Sequence, residues 1–323
     1  MKTIHWAMIG TGDVTEKKSG PGFYKAKNSV LYGVTNRTLA KAEDYAKRHH
    51  VEKVFASVDD LLADPKVDAV YIATPPGSHK DYALRCAEAG KVCYIEKPIA
   101  LTYNEALEIS EAFKKANVKA FVAYYRRTLP RFTEVKVLLD AGTIGDVRFV
   151  NVAYYRPAAK DEINGTHWHV QPEISGGGIF MDMAVHTLDI LDFFFGAIEK
   201  VAAFSVNQAG YYAPEDNVAL SFAFDNPVTG TGNWCFTTDT VADNIQIVGS
   251  KGEINFGCFT NDPIQLKTAE QETAIPAGTI EHVHQNLIQT IVDELNGQGS
   301  CPSTIESALR TAWVCDQVYQ QQD

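Results

Sequence analysis

A chain of 323 residues is long for one hydrophobic core, and its length predicts about two domains. Hydrophobic residues make up 45% of the sequence and charged residues 21%, proportions that are typical of a soluble globular protein. A formal net charge of −11, without any basic run, argues against nucleic acid as a partner.

The first third of the chain alternates short apolar strands with helices. The pattern predicts strands at 3–9, 30–35, 53–55, 68–73, 91–95 and 119–123, and helices at 39–49, 78–89 and 103–116. Strands that are buried on both faces and separated by helices form parallel sheets with helices on either side. We therefore predict an α/β domain with a doubly wound parallel sheet over residues 1–123, which binds ligands beyond the carboxyl ends of its strands.

A glycine-rich turn follows the first strand, in the segment IGTGDVT. Gly10 and Gly12 lie where the turn must be tight and where the backbone would approach a pyrophosphate closely. Thr15 occupies the position of the third glycine in the usual GxGxxG pattern, and the segment SGPG follows soon after. The first helix is therefore predicted either to break early or to begin only near Pro21.

Asn36 and Arg37 follow the second strand, where an acidic residue would hold the adenosine ribose of NAD. Arg37 can stack on adenine and pair with a 2′-phosphate, which favours NADP over NAD. Two alternatives stay open: Arg37 stacks on the adenine of NAD, or it begins the next helix as an exposed residue, with Asn36 as the helix cap.

The strand VCYI at 92–95 ends in Glu96, Lys97 and Pro98. Pro98 has no amide proton for a continuing strand, so the charged pair marks the end of that strand. Because the carboxyl ends of parallel strands receive ligands, we expect Glu96 and Lys97 to lie at the ligand site.

The pattern changes after residue 123. A helix is predicted at 131–141 and strands at 147–155, 200–207, 217–224, 230–237, 244–248, 252–256 and 264–267. Turn signals between these alternating segments indicate an open, mostly antiparallel sheet. Residues 124–323 are therefore predicted to form a second, α+β domain that suits substrate binding and a subunit interface.

The segment GGGIFMDMAVHTLDILDFFFG at 176–196 predicts a helix that carries Asp182 and His186 one turn apart on the same face. A carboxylate in that place can orient an imidazole or raise its proton affinity, as a general base for an alcohol requires. Such a pair is more often structural, and only its combination with Lys97 and the glycine-rich turn favours catalysis.

The six cysteines are scattered without a CxxC pair or zinc-like spacing, and we expect them to be reduced. His167 and His169 lack a third ligand nearby in the sequence, so we predict no metal site and interpret them as surface or substrate-cleft histidines. The apolar stretch at the N-terminus is too short for a signal peptide. No other stretch approaches the roughly 20 apolar residues of a membrane helix. We therefore expect a cytoplasmic protein with no membrane partner.

Four motifs, in order along the whole chain, resemble those of the Gfo/Idh/MocA oxidoreductases, the glucose-fructose oxidoreductase and inositol dehydrogenase family: GTGDVT near the start, YIATPPGSH at 71–79, EKP at 96–98 and GGGIFMDMAVHTLD at 176–189. The resemblance implies a dinucleotide-binding domain of the Rossmann type. It also implies hydride transfer between NADP, or NAD, and a carbon of a sugar, a polyol or a related cyclic hydroxy compound. Two positions depart from the family pattern: Thr15 replaces the small third residue of the glycine motif, and Pro76 stands where asparagine is frequent.

The resemblance also implies roles for individual residues. Lys97 would polarise the substrate oxygen, His186 would exchange its proton, and Asp182 would orient the substrate or the imidazole. The peptide bond between Lys97 and Pro98 is commonly cis in the family. The expected cofactor contacts are Gly10, Thr11, Gly12, Asp13, Val14, Asn36, Arg37, Thr74, Pro75, His79, Glu96 and Lys97. The expected substrate contacts are Tyr124, Arg126, Tyr154, His167 and Trp168.

Two other functions stay open on the same scaffold: an NAD-dependent glycoside hydrolase, which would oxidise its substrate only transiently, and a non-enzymatic dinucleotide sensor. The hydrolase would turn over without net change in reduced cofactor. The full set of Lys97, Asp182 and His186 argues against a sensor, which needs no proton acceptor. The resemblance further implies a homodimer or homotetramer that forms through the open sheet.

Overall fold

The computed structural model describes residues 1–320 and contains two compact units. Met1–Thr128 and Ile280–Leu309 form the first unit. Leu129–Thr279 and the residues from Arg310 onward form the second.

This division differs from the predicted boundary between residues 123 and 124. Residues 124–128 and 280–309, which the sequence analysis assigned to the second domain, belong to the first unit. The return of the chain has a physical cause, because the helix Gln285–Leu295 is amphipathic and buries its apolar side in the first unit. The side chains that it buries are Leu287, Ile288, Ile291 and Val292.

The elements take the following bounds. The strands are, in chain order, β1 (Ile4–Ile9), β2 (Ser29–Thr35), β3 (Lys53–Val54), β4 (Ala69–Ile72), β5 (Val92–Ile95), β6 (Ala120–Val122), β7 (Val147–Tyr155), β8 (Ile198–Val206), β9 (Asn217–Phe224), β10 (Thr229–Cys235), β11 (Ala242–Gly249), β12 (Gly252–Phe256), β13 (Ile264–Thr268) and β14 (Glu272–Ile275). The helices are α1 (Asp13–Lys17), α2 (Gly20–Lys25), α3 (Leu39–His49), α4 (Val58–Ala63), α5 (His79–Glu88), α6 (Tyr103–Ala116), α7 (Pro130–Asp140), α8 (Lys160–Ile163), α9 (Pro172–Ser175), α10 (Ile179–Phe195), α11 (Gln285–Leu295) and α12 (Ile305–Gln320). Short 3-10 turns occur at Pro76–Ser78, Tyr125–Thr128 and Trp168–Val170.

The sheet of the first unit is parallel throughout, with the strand order β3-β2-β1-β4-β5-β6. Its central strands are covered on both faces, since consecutive residues such as Trp6, Ala7 and Met8 in β1 are all fully buried. The chain order reverses between β1 and β4, which is the position where such sheets open a crevice for ligands. The predicted Rossmann-type doubly wound sheet is therefore confirmed.

Aromatic side chains fill the centre of the first unit. Trp6 lies 5.0 Å from Phe23 between ring centroids, and Phe23 lies 5.1 Å from Tyr71. Tyr71 and Tyr94, on neighbouring strands β4 and β5, stack at 5.0 Å. The Tyr71 hydroxyl donates a hydrogen bond to the carboxylate of Glu96, so this aromatic core reaches the carboxyl edge of the sheet.

The segment after the glycine-rich turn folds as two short helices rather than one. α1 ends at Lys17, and α2 begins at Gly20 with Pro21 as its second residue. Proline has no amide proton and favours the first turn of a helix, so it starts a new helix and cannot continue the old one. Both features that the sequence offered as alternatives, the early break and a start near Pro21, are present.

The sheet of the second unit is open and mostly antiparallel, with the order β14-β13-β12-β11-β7-β10-β9-β8. The exception is the pair β7 and β10, which runs parallel. α10 is buried on nearly its whole circumference, and the ring of Phe180 meets that of Trp234 on β10 at 5.4 Å, edge to face. The predicted α+β architecture of this part is confirmed.

Two expectations from composition concern cysteines and membranes. The six cysteines are present as thiols, and five of them are buried. Within residues 1–320, no helix combines the length and the apolar character that crossing a bilayer requires.

Candidate functional site

Three predicted site residues follow adjacent strands of the first unit. β1, β4 and β5 are parallel neighbours, and Gly10, Thr74 and Lys97 come directly after or within two residues of their ends. Because the carboxyl ends of parallel strands share one edge, these three residues lie at the same edge of the sheet. The strand order reverses there, so the fold offers a ligand crevice at that edge.

The glycine-rich turn leaves space for a ligand beside its backbone. Gly10 has φ +96°, and a Cβ atom added there would lie 2.8 Å from the carbonyl oxygen of Ala73, so only glycine fits. A Cβ added at Gly12 would meet no atom within 4 Å. Protein packing therefore does not explain Gly12, and the backbone at this position leaves room for a ligand to approach closely.

Thr15, which departs from the usual glycine motif, is accommodated by its own hydrogen bond. Its side chain is fully buried, and Oγ1 donates to the carbonyl oxygen of Gly12 at 2.7 Å. A close contact that only glycine permits occurs nearby, at Gly20. A Cβ there would lie 2.1 Å from the Tyr45 hydroxyl and 2.2 Å from the Thr15 carbonyl oxygen.

Asn36 joins the end of β2 to the glycine-rich turn. Its Nδ2 donates to Thr11 Oγ1 at 2.9 Å, and its Oδ1 accepts from the backbone amide of Thr38 at 2.9 Å. The cap residue of α3 is Thr38, so the suggestion that Asn36 itself caps this helix is wrong by two positions. Arg37 is exposed beside it, as are Gly12 and Asp13, while Thr11 and Val14 are half-buried.

His79 connects the loops after β4 and β5 from within the protein. Its ring is fully buried, with Nε2 2.7 Å from the carbonyl oxygen of Thr74 and Nδ1 2.9 Å from that of Pro98. Both ring nitrogens therefore contact backbone, which leaves neither for a cofactor. Thr74 is half-buried and Pro75 exposed, and the Ser78 hydroxyl donates to Thr74 Oγ1 at 2.8 Å.

Glu96 is buried behind the turn that carries Lys97. It accepts a hydrogen bond from the Tyr71 hydroxyl and one from the Lys97 backbone amide at 3.2 Å. Burial raises the pKa of Glu96, while the hydrogen bond from Tyr71 and the charge of Lys97 oppose that rise. Lys97 itself is half-buried, and the Lys97–Pro98 peptide bond is cis, as the resemblance implied.

His284, which the sequence analysis did not single out, completes the surroundings of Glu96. Its Nδ1 lies 2.8 Å from the Tyr94 hydroxyl, and its Nε2 lies 3.7 Å from Glu96 Oε1. The residue belongs to the returning segment 280–309 and lies directly before α11. No local pattern in the sequence indicates this contact, because it joins positions almost two hundred residues apart.

In the second unit, α10 carries Asp182 and His186 one turn apart, as predicted. His186 is buried, with its ring centroid 6.0 Å from that of Phe259. The Asp182 side chain is less enclosed, and its Oδ2 lies 3.5 Å from the Nε2 of His169. The sequence indicates a surface or substrate-cleft position for His169 and not a metal site, and the contact with Asp182 adds this histidine to the candidate site.

The segment HWH forms a compact group on the 3-10 turn Trp168–Val170 and its preceding residue. The Nδ1 atoms of His167 and His169 are 2.9 Å apart, so one ring nitrogen must be protonated and the other must accept. The Trp168 ring centroid lies 3.6 Å from that of His169, and the indole side chain remains partly exposed. Across residues 1–320, no group of three or more histidine, cysteine, aspartate or glutamate side chains could hold a metal ion.

The remaining candidate substrate residues are largely enclosed. Tyr124 is 1% exposed, and Arg126 is 7% exposed, with its guanidinium over the Tyr125 ring at 5.1 Å and a 3.1 Å hydrogen bond to the Tyr125 hydroxyl. Tyr154 packs in the second unit, with its ring 4.6 Å from Phe259. Burial raises the pKa of Tyr154. Of the five candidate substrate residues, Trp168 and His167 are the more accessible.

Comparison with known proteins matches both units to one family. The profile described as "Oxidoreductase family, NAD-binding Rossmann fold" matches residues 4–124, and the Gfo/Idh/MocA C-terminal domain profile matches residues 132–255. The chain is 37% identical to oxidoreductase P35 of Formosa agariphila over 97% of both chains. It is 29% identical to scyllo-inositol 2-dehydrogenase (NAD+) of Bacillus subtilis, over 83% of this chain and 78% of that one.

Among solved structures, the fold is similar to that of levoglucosan dehydrogenase in complex with NADH and levoglucosan. The TM-score is 0.84 at 22% identity, over 98% of this chain and 96% of the other. The family and the enzyme class that the sequence motifs predicted, an NAD(P)-dependent oxidoreductase, are thus confirmed. With its NAD-binding Rossmann domain in the first unit and a matching C-terminal domain in the second, the chain belongs to the Gfo/Idh/MocA oxidoreductase family.

Proposed function

We propose that this protein transfers a hydride between a nicotinamide dinucleotide and a hydroxyl-bearing carbon of a sugar, a polyol or a related cyclic hydroxy compound. The observation that carries the proposal is the position of Lys97. This amine follows β5 at the carboxyl edge that also carries the glycine-rich turn, one strand beyond Thr74. A cation next to a bound nicotinamide is suited to stabilise the negative charge that develops on a substrate oxygen.

The proposed cofactor site uses the edge of the first unit. The open space at Gly12 supports close approach of a pyrophosphate to the backbone. The hydrogen bond between Asn36 and Thr11 supports a fixed position for the adenosine ribose at the end of β2. When bound, the nicotinamide accepts or returns the hydride. We propose that the dinucleotide is held by Gly10, Thr11, Gly12, Asp13, Val14, Asn36, Arg37, Thr74, Pro75, Glu96 and Lys97. His79 supports these residues through contacts with the backbone. We propose that NADP is preferred, because exposed Arg37 offers a guanidinium to a 2′-phosphate.

The proposed chemistry needs one proton acceptor and one fixed cation. In the oxidation direction, His186 takes the hydroxyl proton while the Lys97 ammonium stabilises the negative charge on that oxygen, and the hydride leaves the carbon as the carbonyl forms. Asp182 orients the substrate or the imidazole of His186, and its neighbour His169 at 3.5 Å fixes the carboxylate in turn. In reduction the same groups act in reverse.

We propose a polyhydroxylated ring as the substrate class. Scyllo-inositol and levoglucosan, which appear in the names of two similar proteins, are both compounds of this kind. Trp168 presents part of its indole ring, which suits stacking on the apolar face of a sugar ring, and His167 lies beside it. Tyr124, Arg126 and Tyr154 are the further side chains that we propose to read hydroxyl positions.

The proposal is tested by a screen of sugars, cyclitols and sugar lactones with NAD and NADP, oxidised and reduced, read by absorbance at the wavelength of the reduced nicotinamide. A change in absorbance that requires both substrate and enzyme supports the dehydrogenase. Cleavage of a glycoside without net change in reduced cofactor would instead identify a glycoside hydrolase. Tight cofactor binding with no turnover of any compound in either direction would favour a sensor.

We also propose that the protein forms a homodimer or a homotetramer through the open sheet. Phe149 on β7 and Phe204 and Val206 on β8 are exposed large apolar side chains, and Phe204 is 80% exposed. Strand pairing puts them on the same face as Asn151 and Ser221. Light scattering on the purified chain tests this, and a monomeric mass would contradict it. A cytoplasmic location and a lack of affinity for nucleic acid remain predictions, which cell fractionation and a gel-shift assay test.

A further inference from the structure

A buried polar cluster lies behind the turn that carries Lys97, and we name it the Glu96 cluster: Tyr71, Tyr94, Glu96 and His284. The Tyr71 hydroxyl donates to Glu96 Oε1, and His284 Nε2 lies 3.7 Å from the same oxygen. On its other side, His284 Nδ1 lies 2.8 Å from the Tyr94 hydroxyl. Glu96 Oε2 accepts from the backbone amide of Lys97 at 3.2 Å. The cluster therefore ends at the backbone of the proposed catalytic lysine.

The protonation of His284 follows from its environment. The ring is fully buried, and burial, together with the charges of Lys18, Lys97 and Arg126, lowers the pKa of His284 to about 3. The imidazole is therefore neutral near pH 7 and carries a single N–H. If Nδ1 accepts from the Tyr94 hydroxyl, the N–H lies on Nε2 and faces the carboxylate.

The Nε2 atom of His284 forms no hydrogen bond within residues 1–320. This atom is fully buried, and the carboxylate oxygen Oε1 of Glu96 lies 3.7 Å from it. A buried N–H without an acceptor is costly, so the orientation toward the carboxylate is the favourable one. Tyr125 covers one face of the ring at 4.6 Å between centroids and excludes water from that side.

His284 is held in place independently of Glu96. Its backbone amide donates to the carbonyl oxygen of Lys18 at 3.3 Å, and Nδ1 of neighbouring His282 lies 2.9 Å from that of Lys17. α11 begins at the next residue, and its buried Ile288 packs close to Gly22 of α2. The segment that carries the imidazole therefore also contacts α1 and α2, the helices that follow the glycine-rich turn.

We propose that His284 is a positioning residue for the reaction: it holds the Glu96 carboxylate ionised and in place, and through it the turn that presents the Lys97 amine. The inference rests on the proposed function for the role of Lys97. A carboxylate buried this deeply keeps its charge only while polar groups face it: Tyr71 and the Lys97 amide donate hydrogen bonds to Glu96, and the Nε2 of His284 lies 3.7 Å away. Without the imidazole Glu96 takes up a proton or turns away, and the Lys97 amine loses the negative charge beside it.

The test follows the reactivity of Lys97 in the unliganded protein, which does not depend on knowing the substrate. The purified chain is methylated with formaldehyde and cyanoborohydride at pH 8, and labelling of each lysine is followed by mass spectrometry. We expect His284→Phe, which keeps an aromatic ring against Tyr125, to speed the labelling of Lys97 about threefold or more. Lys53 and Lys80, in ion pairs elsewhere in the first unit, should react as in the unaltered protein.

Three further variants separate positioning from general loosening. His284→Gln restores an amide N–H toward Glu96 and should return Lys97 labelling to near its original rate. Ile288→Val removes a methyl group from the same segment without touching the cluster, so it should lower the melting temperature but leave Lys97 labelling unchanged. Tyr94→Phe removes the hydroxyl that fixes the tautomer of His284 and should increase the labelling rate of Lys97 about twofold. This variant also tests the inference if His284→Phe does not fold.

Kinetics provide a second readout once a substrate is identified. His284→Phe should lower kcat about tenfold or more with the cofactor KM within about threefold, because positioning acts on the transition state and not on cofactor binding. Unchanged Lys97 labelling in a folded His284→Phe or Tyr94→Phe protein would overturn the inference. A failure to oxidise any sugar would count against the proposed function alone, since the labelling result stands without turnover.

Discussion

The imidazole Nδ1 of His79 lies 2.9 Å from the carbonyl oxygen of Pro98, the residue that follows Lys97 across the cis bond. The other ring nitrogen lies 2.7 Å from the carbonyl oxygen of Thr74. Carbonyl oxygens only accept hydrogen bonds, so satisfying both requires a ring protonated on both nitrogens. Burial lowers the pKa of His79, while the two carbonyls favour the charged ring. In either protonation state, His79 ties the loop after β4 to the turn after β5.

The first prediction concerns these two contacts of the His79 ring. His79→Ala removes both contacts, leaves a cavity and leaves the Thr74 and Pro98 carbonyl groups without the ring, so we expect a loss of about 2–4 kcal/mol in the free energy of unfolding. Urea unfolding followed by circular dichroism measures it. Ser78→Ala, on the adjacent and more exposed position, is the control and should cost less than about 1 kcal/mol. A His79→Ala protein as stable as the control would show that the ring contributes nothing there.

The second prediction separates two glycines of the same segment. Because a Cβ at Gly12 meets no protein atom within 4 Å, Gly12→Ala should leave the melting temperature nearly unchanged, yet weaken dinucleotide binding about tenfold by occupying the pyrophosphate space. Gly20→Ala should do the reverse, since its Cβ would lie within 2.2 Å of Tyr45 and Thr15 atoms and disturb packing. Calorimetric titration with reduced cofactor and thermal unfolding give both quantities. Equal effects of the two changes on binding would contradict the assignment.

The third prediction concerns cofactor choice. Arg37→Asp replaces an exposed cation with an anion at the end of β2, so NADPH should bind about ten- to a hundredfold more weakly through repulsion of the 2′-phosphate. The affinity for NADH should change by less than about threefold. Arg148→Asp, an exposed arginine of the second unit, is the control for the altered net charge. If NADPH and NADH weaken together, Arg37 serves by stacking on adenine and not by pairing with phosphate.

Much of the fold could be predicted from the sequence because the decisive signals are local. The helices 39–49 and 103–116 and the strands 147–155, 217–224 and 252–256 have the predicted bounds, since periodicity and turn residues mark both ends. Ser57 caps the unpredicted helix α4 by accepting from the amide of Asp60, a recognisable start signal.

The rest depends on contacts between distant parts of the chain. His284 and its return to the first unit could not be predicted, because no periodicity tells a segment which sheet it will join. His79 illustrates a second limit: the motif identified its position, but not that both ring nitrogens contact backbone carbonyls. The contact of His169 with Asp182, which joins a 3-10 turn to α10, is likewise a tertiary contact that the sequence does not indicate. Sequence patterns give the elements and the reactive residues, whereas their partners follow from tertiary structure.

The fourth prediction concerns the catalytic groups. Lys97→Met and His186→Ala should each lower kcat about a hundredfold or more, the effect expected for the loss of one charge-stabilising or proton-transfer group. Cofactor affinity should change far less. Steady-state kinetics with the substrate identified by screening measure both, and the controls are Lys80→Met and His5→Ala, which change half-buried side chains paired with Glu108 and Asp68. A near-normal rate in either variant would refute the role assigned to that residue.

The last prediction concerns pH and the helix that follows the glycine-rich turn. Glu16 on α1 accepts hydrogen bonds from Arg48 at 2.6 and 2.8 Å and lies 2.8 Å from His49 Nε2, both on or at the end of α3. These partners, Arg48 first, lower the pKa of Glu16 from 4.5 to about 2. A carboxyl group whose pKa is lower in the folded state stabilises the fold above its unfolded pKa, and that stabilisation is lost as pH falls toward the folded value.

We therefore expect Glu16→Gln to cost about 1 kcal/mol at pH 7, a figure reduced from the full pKa shift because the pair is partly exposed and screened by solvent. The difference between the two proteins should shrink as pH falls from about 5 toward 2. Urea unfolding at intervals across this range measures it, with Asp44→Asn as the control, because Asp44 pairs with the same Arg48 from a more exposed position. A difference that stayed constant across these pH values would mean that the cost arises from packing of the side chain and not from its charge.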